Sequence, residues 1–438
     1  MRDVAAVAAP AVARRRSQLA RAWFALLLGA ICFEGLGRKF LPEVPSSVFY
    51  FLKDAVLLLG LAAFGVRREV ARAASAHLGA FALVLAAAVF WTVVQVFNPS
   101  QAHLGLAIIG LRSYWLWWLA PLVIASSLTE AGGREAATKV LVAIHLVVVA
   151  YAAYQFAVPP DSAVNAYALY EGEEIMPVAV VGTTGRPRVA STFAYLSGFT
   201  DFLVLAPPLL LALGLAEGRA RMRRLAVVTA AVAAAAIPMS GSRAPLALAA
   251  VSLGLVGWGA GALATRAGRG VLVGGILAVG IATLALPVAV EGVRDRLRGS
   301  DTPARVAELL QSLPPVALTV NDFPLLGDGT GMQQNARRAF GVPNPWNTEG
   351  ETSRLLVELG PLGYLLVWTT KLGLAVALLG ASRTLRRSGR RAMAGAALAY
   401  AFFAMVGNSA FDHVWQALFF VGVGLLVHAT TEARSAGA

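Results

Sequence analysis

Cysteine and charged residues are scarce in this sequence. The single cysteine, Cys32, lies within an apolar run, so one chain can build neither a disulfide framework nor a thiolate metal site. Charged residues make up only 14% of the chain and hydrophobic residues 58%, which excludes a soluble domain of this size. Short segments of alternating polarity, typical of a membrane barrel, are also missing. The composition therefore predicts an all-α polytopic membrane protein.

Apolar runs of about 18–22 residues recur along the chain, each long enough to cross a hydrocarbon layer of about 30 Å as a helix. No small-residue cleavage pattern follows the basic tail, so the first span is expected to be uncleaved. Arg112 interrupts the fourth run, and Pro207 with Pro208 interrupts the sixth. The runs predict about twelve transmembrane helices, at 20–37, 48–66, 78–97, 104–128, 138–157, 191–216, 224–239, 244–264, 271–289, 354–380, 391–408 and 412–430.

The loops between these spans predict the topology. Arginine accumulates in the short loops at 67–68, 219–224 and 383–391, which all fall on one side of the membrane. Because basic loops stay in the cytoplasm, both termini are predicted to be cytoplasmic. The chain is then divided into a basic tail (1–19), five spans (20–157), a periplasmic loop (158–190), four spans (191–289), a large periplasmic loop (290–353), three spans (354–430) and a short tail (431–438).

Basic residues are also unusually frequent outside the cytoplasmic loops. Arginine grips phosphate through paired donors, so a polyanionic ligand on the outer side would explain this excess. The alternative is contact with lipid headgroups and snorkelling at helix ends. Lys53 and Asp54, one turn into the second span, are expected to neutralise each other. Asp412 and His413, at the outer start of the last span, either face a site or anchor the helix.

Two short motifs stand in the predicted outer segments. The turn Phe323-Pro-Leu-Leu-Gly-Asp-Gly-Thr-Gly331 places glycines at 327, 329 and 331, where the backbone can reach conformations that cost other residues energy. Its amides would suit an anion, and a plain loop turn is the alternative. The corner Ser240-Gly-Ser-Arg243 lies between the seventh and eighth spans, where an arginine is placed to meet a ligand at the membrane surface.

Two further motifs accompany the corner and the glycine turn. They are Arg186 and Arg188 before the sixth span, and the closing Leu355-Leu-Val-Glu-Leu-Gly-Pro-Leu-Gly363. By these four motifs the chain resembles, across residues 180–380, the O-antigen ligase and polymerase superfamily, the WaaL-like and Wzy-like membrane glycosyltransferases. No one motif is specific, but their order and sidedness are typical of the family.

The resemblance implies a GT-C-like, metal-independent enzyme in the bacterial inner membrane, with no cofactor and no nucleic-acid partner. Such enzymes take a glycan from undecaprenyl diphosphate at the periplasmic face and transfer it to a hydroxyl acceptor on a glycan or lipid. Ligases of the family carry a histidine just before the closing helix, where this chain has Glu349. The difference favours a Wzy-like polymerase. The alternatives are a WaaL-like ligase and a transporter of lipid-linked glycan.

The chemistry needs cations for the departing diphosphate and a base for the acceptor hydroxyl. Glu349 is the predicted base and Glu351 the alternate, although a carboxylate favoured by the helix start, or an ion pair between Glu351 and Arg354, would also explain them. Glu358 is expected to be buried in a structural pairing. The predicted diphosphate ligands are Arg188, Arg243 and Arg354, with Arg186 and Arg305 as second choices and Arg112 in the lipid-diphosphate groove.

Overall fold

The computed structural model describes residues 2–129, 132–168, 178–180, 185–242, 244–261, 323–343, 346 and 350–436. Within these ranges the chain is helical apart from turns, loops and one isolated antiparallel bridge between Val180 and Pro187. The all-α prediction is confirmed for them.

Fourteen α-helices are described. They are α1 (Arg2–Cys32), α2 (Glu34–Phe40), α3 (Ser46–Phe64), α4 (Arg68–Leu78), α5 (Phe81–Val96), α6 (Leu104–Trp115), α7 (Ala120–Ser127), α8 (Gly133–Ala157), α9 (Leu196–Leu215), α10 (Ala220–Ala235), α11 (Ala244–Gly259), α12 (Glu351–Arg387), α13 (Arg391–Val406) and α14 (His413–Ser435). Short 3-10 helices lie at Leu116–Leu119, Ala163–Asn165, Ile237–Ser240 and Asn335–Phe340.

Seven of the described helical segments are long and apolar enough to cross a membrane, and two bent pairs bring the number to nine. The bent pairs are α1 with α2, at 55°, and α4 with α5, at 97°. Two shorter apolar helices, α11 and α13, add to these. The predicted ninth span, 271–289, lies outside the described residues. The protein is thus a polytopic helical membrane protein, and the count of twelve spans stays a prediction.

The break between α1 and α2 is filled by the backbone just before α9. The hydroxyl of Thr192 donates to the carbonyl of Cys32 at 2.6 Å, and the amide of Leu36 donates to the carbonyl of Thr192 at 3.1 Å. These bonds satisfy backbone groups that the interrupted helix leaves open. Gly35 is required here, because a Cβ at that position would lie 2.0 Å from the carbonyl carbon of Phe193.

A second break, at Gly360 in α12, receives the glycine turn. Gly360 has a left-handed φ of 66°, and Pro361 lacks the amide that would continue the helical bonding. The carbonyls freed by the kink accept hydrogen bonds from the amides of Asp328 (to Val357, 2.8 Å) and Gly329 (to Glu358, 3.1 Å). The turn is thereby held against the first part of α12.

Charged side chains gather at both ends of the bundle. At one end Glu432 pairs with Arg390 at 2.5 Å and with Arg134 at 3.7 Å, and Arg219 pairs with Glu135. All of these arginines belong to segments predicted to be cytoplasmic. At the other end, which we call the Glu34 end, Glu34 contacts Lys53 and His413, and Arg112 contacts Asp54, the neighbour of Lys53.

Candidate functional site

A buried ion pair forms the centre of the Glu34 end. Nζ of Lys53 lies 2.6 Å from Oε2 of Glu34, with the two side chains 0% and 1% exposed. Arg38 and His413 also face Glu34, at 3.9 Å and 3.6 Å. The expected neutralisation of Lys53 by Asp54 is wrong, because successive residues of a helix point to different sides.

Asp54 instead pairs with Arg112 on α6. Nε of Arg112 donates to Oδ2 of Asp54 at 2.7 Å, and Nη1 donates to the hydroxyl of Tyr50 at 2.9 Å. Trp117 donates its indole N–H to the other oxygen of Asp54 at 3.0 Å. The charge of Arg112 is therefore already balanced within the protein.

Arg112 also borders an apolar cavity of about 760 Å³. The cavity lies between the bent pair α4–α5 and the helices α6, α7, α12 and α14, and its walls include Trp115, Phe420 and Leu426. At its far end lies His77, whose Nε2 is 3.1 Å from a guanidinium nitrogen of Arg434. The cavity thus follows α14 from the Glu34 end towards the opposite end of the bundle.

A group of like charges lies around Arg354 at the start of α12. The guanidinium of Arg354 is over the ring of Phe411, 5.7 Å from its centroid, and its buried Nε meets no hydrogen-bond acceptor among the described residues. Burial, together with the positive charges of Arg338 and Arg354, lowers the pKa of Arg337. An anion bound here would relieve this repulsion.

Glu351 is held in place by two partners. Its Oε2 lies 2.6 Å from Nζ of Lys371, and its Oε1 accepts a hydrogen bond from the amide of Ala410 at 2.8 Å. The ion pair with Arg354 that the spacing allowed is not formed. Glu351 therefore ties the first turn of α12 to the segment before α14. Glu349, the predicted base, lies outside the described residues.

Arg188 contacts Ser240 and Ser242 of the Ser240-Gly-Ser-Arg243 corner. Its Nε donates to the carbonyl of Ser240 at 3.0 Å, and its Nη2 donates to the hydroxyl of Ser242 at 2.8 Å. The structure thus brings Arg188 next to Ser242, the residue that precedes Arg243 in the sequence. Arg243 itself and Arg305 lie outside the described residues. Arg186 is exposed and donates to the carbonyl of Ala157, at the end of α8.

The glycine turn does present amides to an anion, and that anion belongs to the chain. The carboxylate of Glu358 accepts from the amides of Gly331 at 3.0 Å and Gln333 at 2.6 Å, and from the hydroxyl of Tyr114 at 2.8 Å. Gly327, Gly329 and Gly331 all have left-handed φ values, of 79°, 99° and 85°. Glu358 is buried as predicted, with amides as its partners.

Sequence reasoning missed Asp201, a buried aspartate near Asp412. Asp412 caps α14, accepting from the amides of Val414 at 3.0 Å and Trp415 at 3.1 Å, so its anchoring role is confirmed. Asp201 lies on α9 and is buried. An aspartate inside an apolar run is the signal that would have drawn attention to it.

No protein-family model matches the chain, and no curated protein matches it. The fold and the contacts define a helical polytopic membrane protein with cations and carboxyl groups gathered at both ends of its bundle.

Proposed function

We propose that this chain is a membrane glycosyltransferase of GT-C-like architecture, with twelve spans and both termini in the cytoplasm. Its glycan donor is an undecaprenyl-diphosphate-linked glycan, bound at the periplasmic face of the inner membrane. Its reaction is polymerisation, in which the hydroxyl acceptor belongs to a second glycan. The Glu34 end is the periplasmic end in this proposal.

The observation that carries the proposal is the grouping of Arg354 with Arg337 and Arg338 beside Phe411. Neighbouring positive charges favour an anion beside them, and guanidinium groups match phosphate oxygens through paired donors. A diphosphate that leaves during transfer is such an anion, and fixed arginines stabilise its developing charge.

The apolar cavity beside Arg112 supports the same proposal. An isoprenoid carrier needs an apolar path within the membrane and a cationic end for its diphosphate. The cavity has apolar walls over most of its length and reaches the Glu34 end at Arg112. Because Arg112 is paired with Asp54, the diphosphate in this proposal takes its cations from the arginines around Arg354. Arg188 and the corner after Ser240 are further predicted ligands at the periplasmic surface.

The proposal is tested with purified protein in lipid nanodiscs and a defined undecaprenyl-diphosphate oligosaccharide. The wild type is expected to produce glycans of increasing length. Arg188→Ala, Arg243→Ala and Arg354→Ala are expected to leave the donor unconsumed. Arg219→Ala is the matched control, because Arg219 pairs with Glu135 at the opposite end of the bundle.

Other outcomes distinguish the alternatives. Transfer of an intact glycan to a separate acceptor, without chain growth, would establish a ligase instead. Movement of the donor between leaflets without a new glycosidic bond would establish a transporter. Unchanged product length and amount in the Arg188 and Arg354 variants would contradict the assignment of these arginines.

A further inference from the structure

A small pocket lies between α11, α12 and α13, at the end of the bundle opposite the Glu34 end. Its volume is about 230 Å³. Helices α11 and α13 approach closely at two glycines, since a Cβ on Gly259 would lie 2.5 Å from Cα of Gly395. On the other side, the hydroxyl of Ser382 on α12 donates to the carbonyl of Ala394 on α13 at 2.8 Å. Helix α13 is therefore the floor of the pocket, and α11 and α12 are its walls.

The α12 wall changes from apolar to basic along one face of the helix. Four exposed side chains of this face follow one another at spacings of three, four and three residues, which is the helical repeat: Val376, Leu379, Arg383 and Arg386. The two arginines lie in the last two turns of α12. Such a face suits a lipid whose chain lies along the apolar residues and whose charged headgroup lies at the arginines.

The α11 wall contributes an aromatic ring. Trp258 lies in the last turn of α11, and 52% of it is exposed. The guanidinium of Arg386 lies over this ring, 5.8 Å from its centroid. A half-exposed indole at the end of an apolar helix is typical of the level of the lipid headgroups. The contact therefore holds the charge of Arg386 at that level.

The two arginines of the pocket have no hydrogen-bonding or ion-pair partner for their side chains in the part of the chain that the structure describes. The carboxylates at this end are engaged elsewhere, since Glu432 pairs with Arg390 and Glu135 pairs with Arg219. Each guanidinium group carries five N–H donors. These donors are therefore available to a ligand.

We infer that this pocket binds the headgroup of an anionic phospholipid, with the phosphate between Arg383 and Arg386 and an acyl chain along Leu379 and Val376. Guanidinium groups match phosphate oxygens through paired donors, and basic pockets between membrane helices bind anionic headgroups. The loop that follows α12 is predicted to be cytoplasmic, and anionic lipids give the cytoplasmic leaflet a negative surface potential. The site lies at the opposite end of the bundle from Arg354, so it does not depend on the proposed transfer reaction.

The site is tested by native mass spectrometry of the purified protein in detergent with equal amounts of phosphatidylglycerol and phosphatidylcholine. The wild type is expected to retain phosphatidylglycerol in preference. The double variant Arg383→Gln with Arg386→Gln should bind it about 25-fold more weakly, since each arginine near an anionic headgroup contributes about fivefold. Both side chains are exposed, so the fold should survive the substitutions.

The double variant Arg221→Gln with Arg224→Gln is the matched control. Both arginines are exposed in the first turns of α10, at the same end of the bundle, and neither lines the pocket. The change in net charge is the same, so retention of phosphatidylglycerol should stay close to the wild-type value. Equal losses in the two double variants would overturn the site, because they would show a general attraction of the basic surface.

Trp258→Ala tests the aromatic wall at unchanged net charge. It should weaken retention by about 2- to 5-fold, the contribution of an exposed cation–π contact, because Arg386 loses the ring that positions it. Phosphatidylglycerol should also raise the unfolding midpoint of the wild type more than that of the Arg383 and Arg386 double variant, since a ligand of the native state stabilises it.

Two further outcomes would overturn the lipid assignment. One is equal retention of phosphatidylglycerol and phosphatidylcholine by the wild type. The other is displacement of phosphatidylglycerol by inorganic phosphate but not by sodium chloride of the same ionic strength, which would identify a site for free phosphate.

Discussion

The carboxylate of Glu358 accepts a hydrogen bond from the amide of Gly331, 27 positions earlier in the chain, at 3.0 Å. This contact joins two of the motifs on which the family resemblance depends, the glycine turn and the closing helix. The turn supplies the amides of Gly331 and Gln333. The kink at Gly360 leaves the carboxylate of Glu358 next to them. The pairing is a structural one, which leaves ligand binding to the arginines nearby.

Removing the Glu358 carboxylate should destabilise the part of the bundle around the glycine turn. Glu358→Ala leaves the amides of Gly331 and Gln333 and the hydroxyl of Tyr114 buried without their acceptor. We expect a loss of about 3 kcal/mol in the free energy of unfolding, since each buried unsatisfied group costs roughly 1–3 kcal/mol. The unfolding midpoint in detergent measures this. Glu358→Gln, which keeps one acceptor oxygen, should lose less, and equal midpoints for both variants would contradict the prediction.

Gly331 should tolerate no side chain. Its φ of 85° is left-handed, and a Cβ would lie 2.2 Å from the carbonyl oxygen of Leu106. Gly341 is a matched control, with a φ of 65° and no atom within 4 Å of the added Cβ. Gly341→Ala should cost roughly 1–2 kcal/mol of unfolding free energy, the strain of the left-handed backbone. Gly331→Ala should cost clearly more, and comparable unfolding midpoints would mean that the turn moves away from α6 freely.

Removing one partner of the Lys53–Glu34 ion pair should lower the free energy of unfolding more than removing both partners does. Lys53→Met leaves Glu34 charged and buried, which we expect to cost about 3–5 kcal/mol of unfolding free energy. The double variant Lys53→Met with Glu34→Gln should recover most of that loss, because no uncompensated charge remains. Unfolding midpoints of the wild type, both single variants and the double variant form the required cycle. Additive losses would show that the two side chains act independently.

Donor binding at Arg188 should depend on the paired nitrogens of its guanidinium group as well as on its charge. Arg188→Lys keeps the charge but cannot reach both the carbonyl of Ser240 and the hydroxyl of Ser242. Ser242→Ala removes one hydrogen bond, worth about 0.5–1.5 kcal/mol, and should weaken donor binding by about 2- to 10-fold. Arg188→Lys should weaken it more, as measured by binding of the lipid-linked donor in nanodiscs. Equal binding by the wild type and Arg188→Lys would exclude a paired contact at this residue.

Several features of the site could be read from the sequence because they depend on local pattern. Glycines 327, 329 and 331 were expected in unusual backbone conformations, and all three have left-handed φ values. The motif order placed Arg188 and the Ser240 corner on one surface, and the structure joins them by two hydrogen bonds. The burial of Glu358 followed from its position in an apolar run.

The partners of the ion pairs could not be predicted from local sequence pattern. Lys53 was assigned to its neighbour Asp54, whereas its partner Glu34 lies 19 positions away across a helix break. Arg112 and Asp54 are 58 positions apart, and Glu351 and Lys371 lie on opposite sides of the kink at Gly360. Each of these contacts depends on a bend that the hydropathy pattern does not contain.

The sequence by itself determined that this protein is a bundle of membrane helices, because apolar runs of this length satisfy their backbone only as helices in a bilayer. It also determined which segments carry excess arginine. Only the tertiary structure decided which charged side chains pair with one another and which remain available to a ligand. Glu34 and Lys53 illustrate the reason: each is an ordinary charged residue in its own helix, and their ion pair forms only because the chain bends after Cys32 and brings α2 against α3.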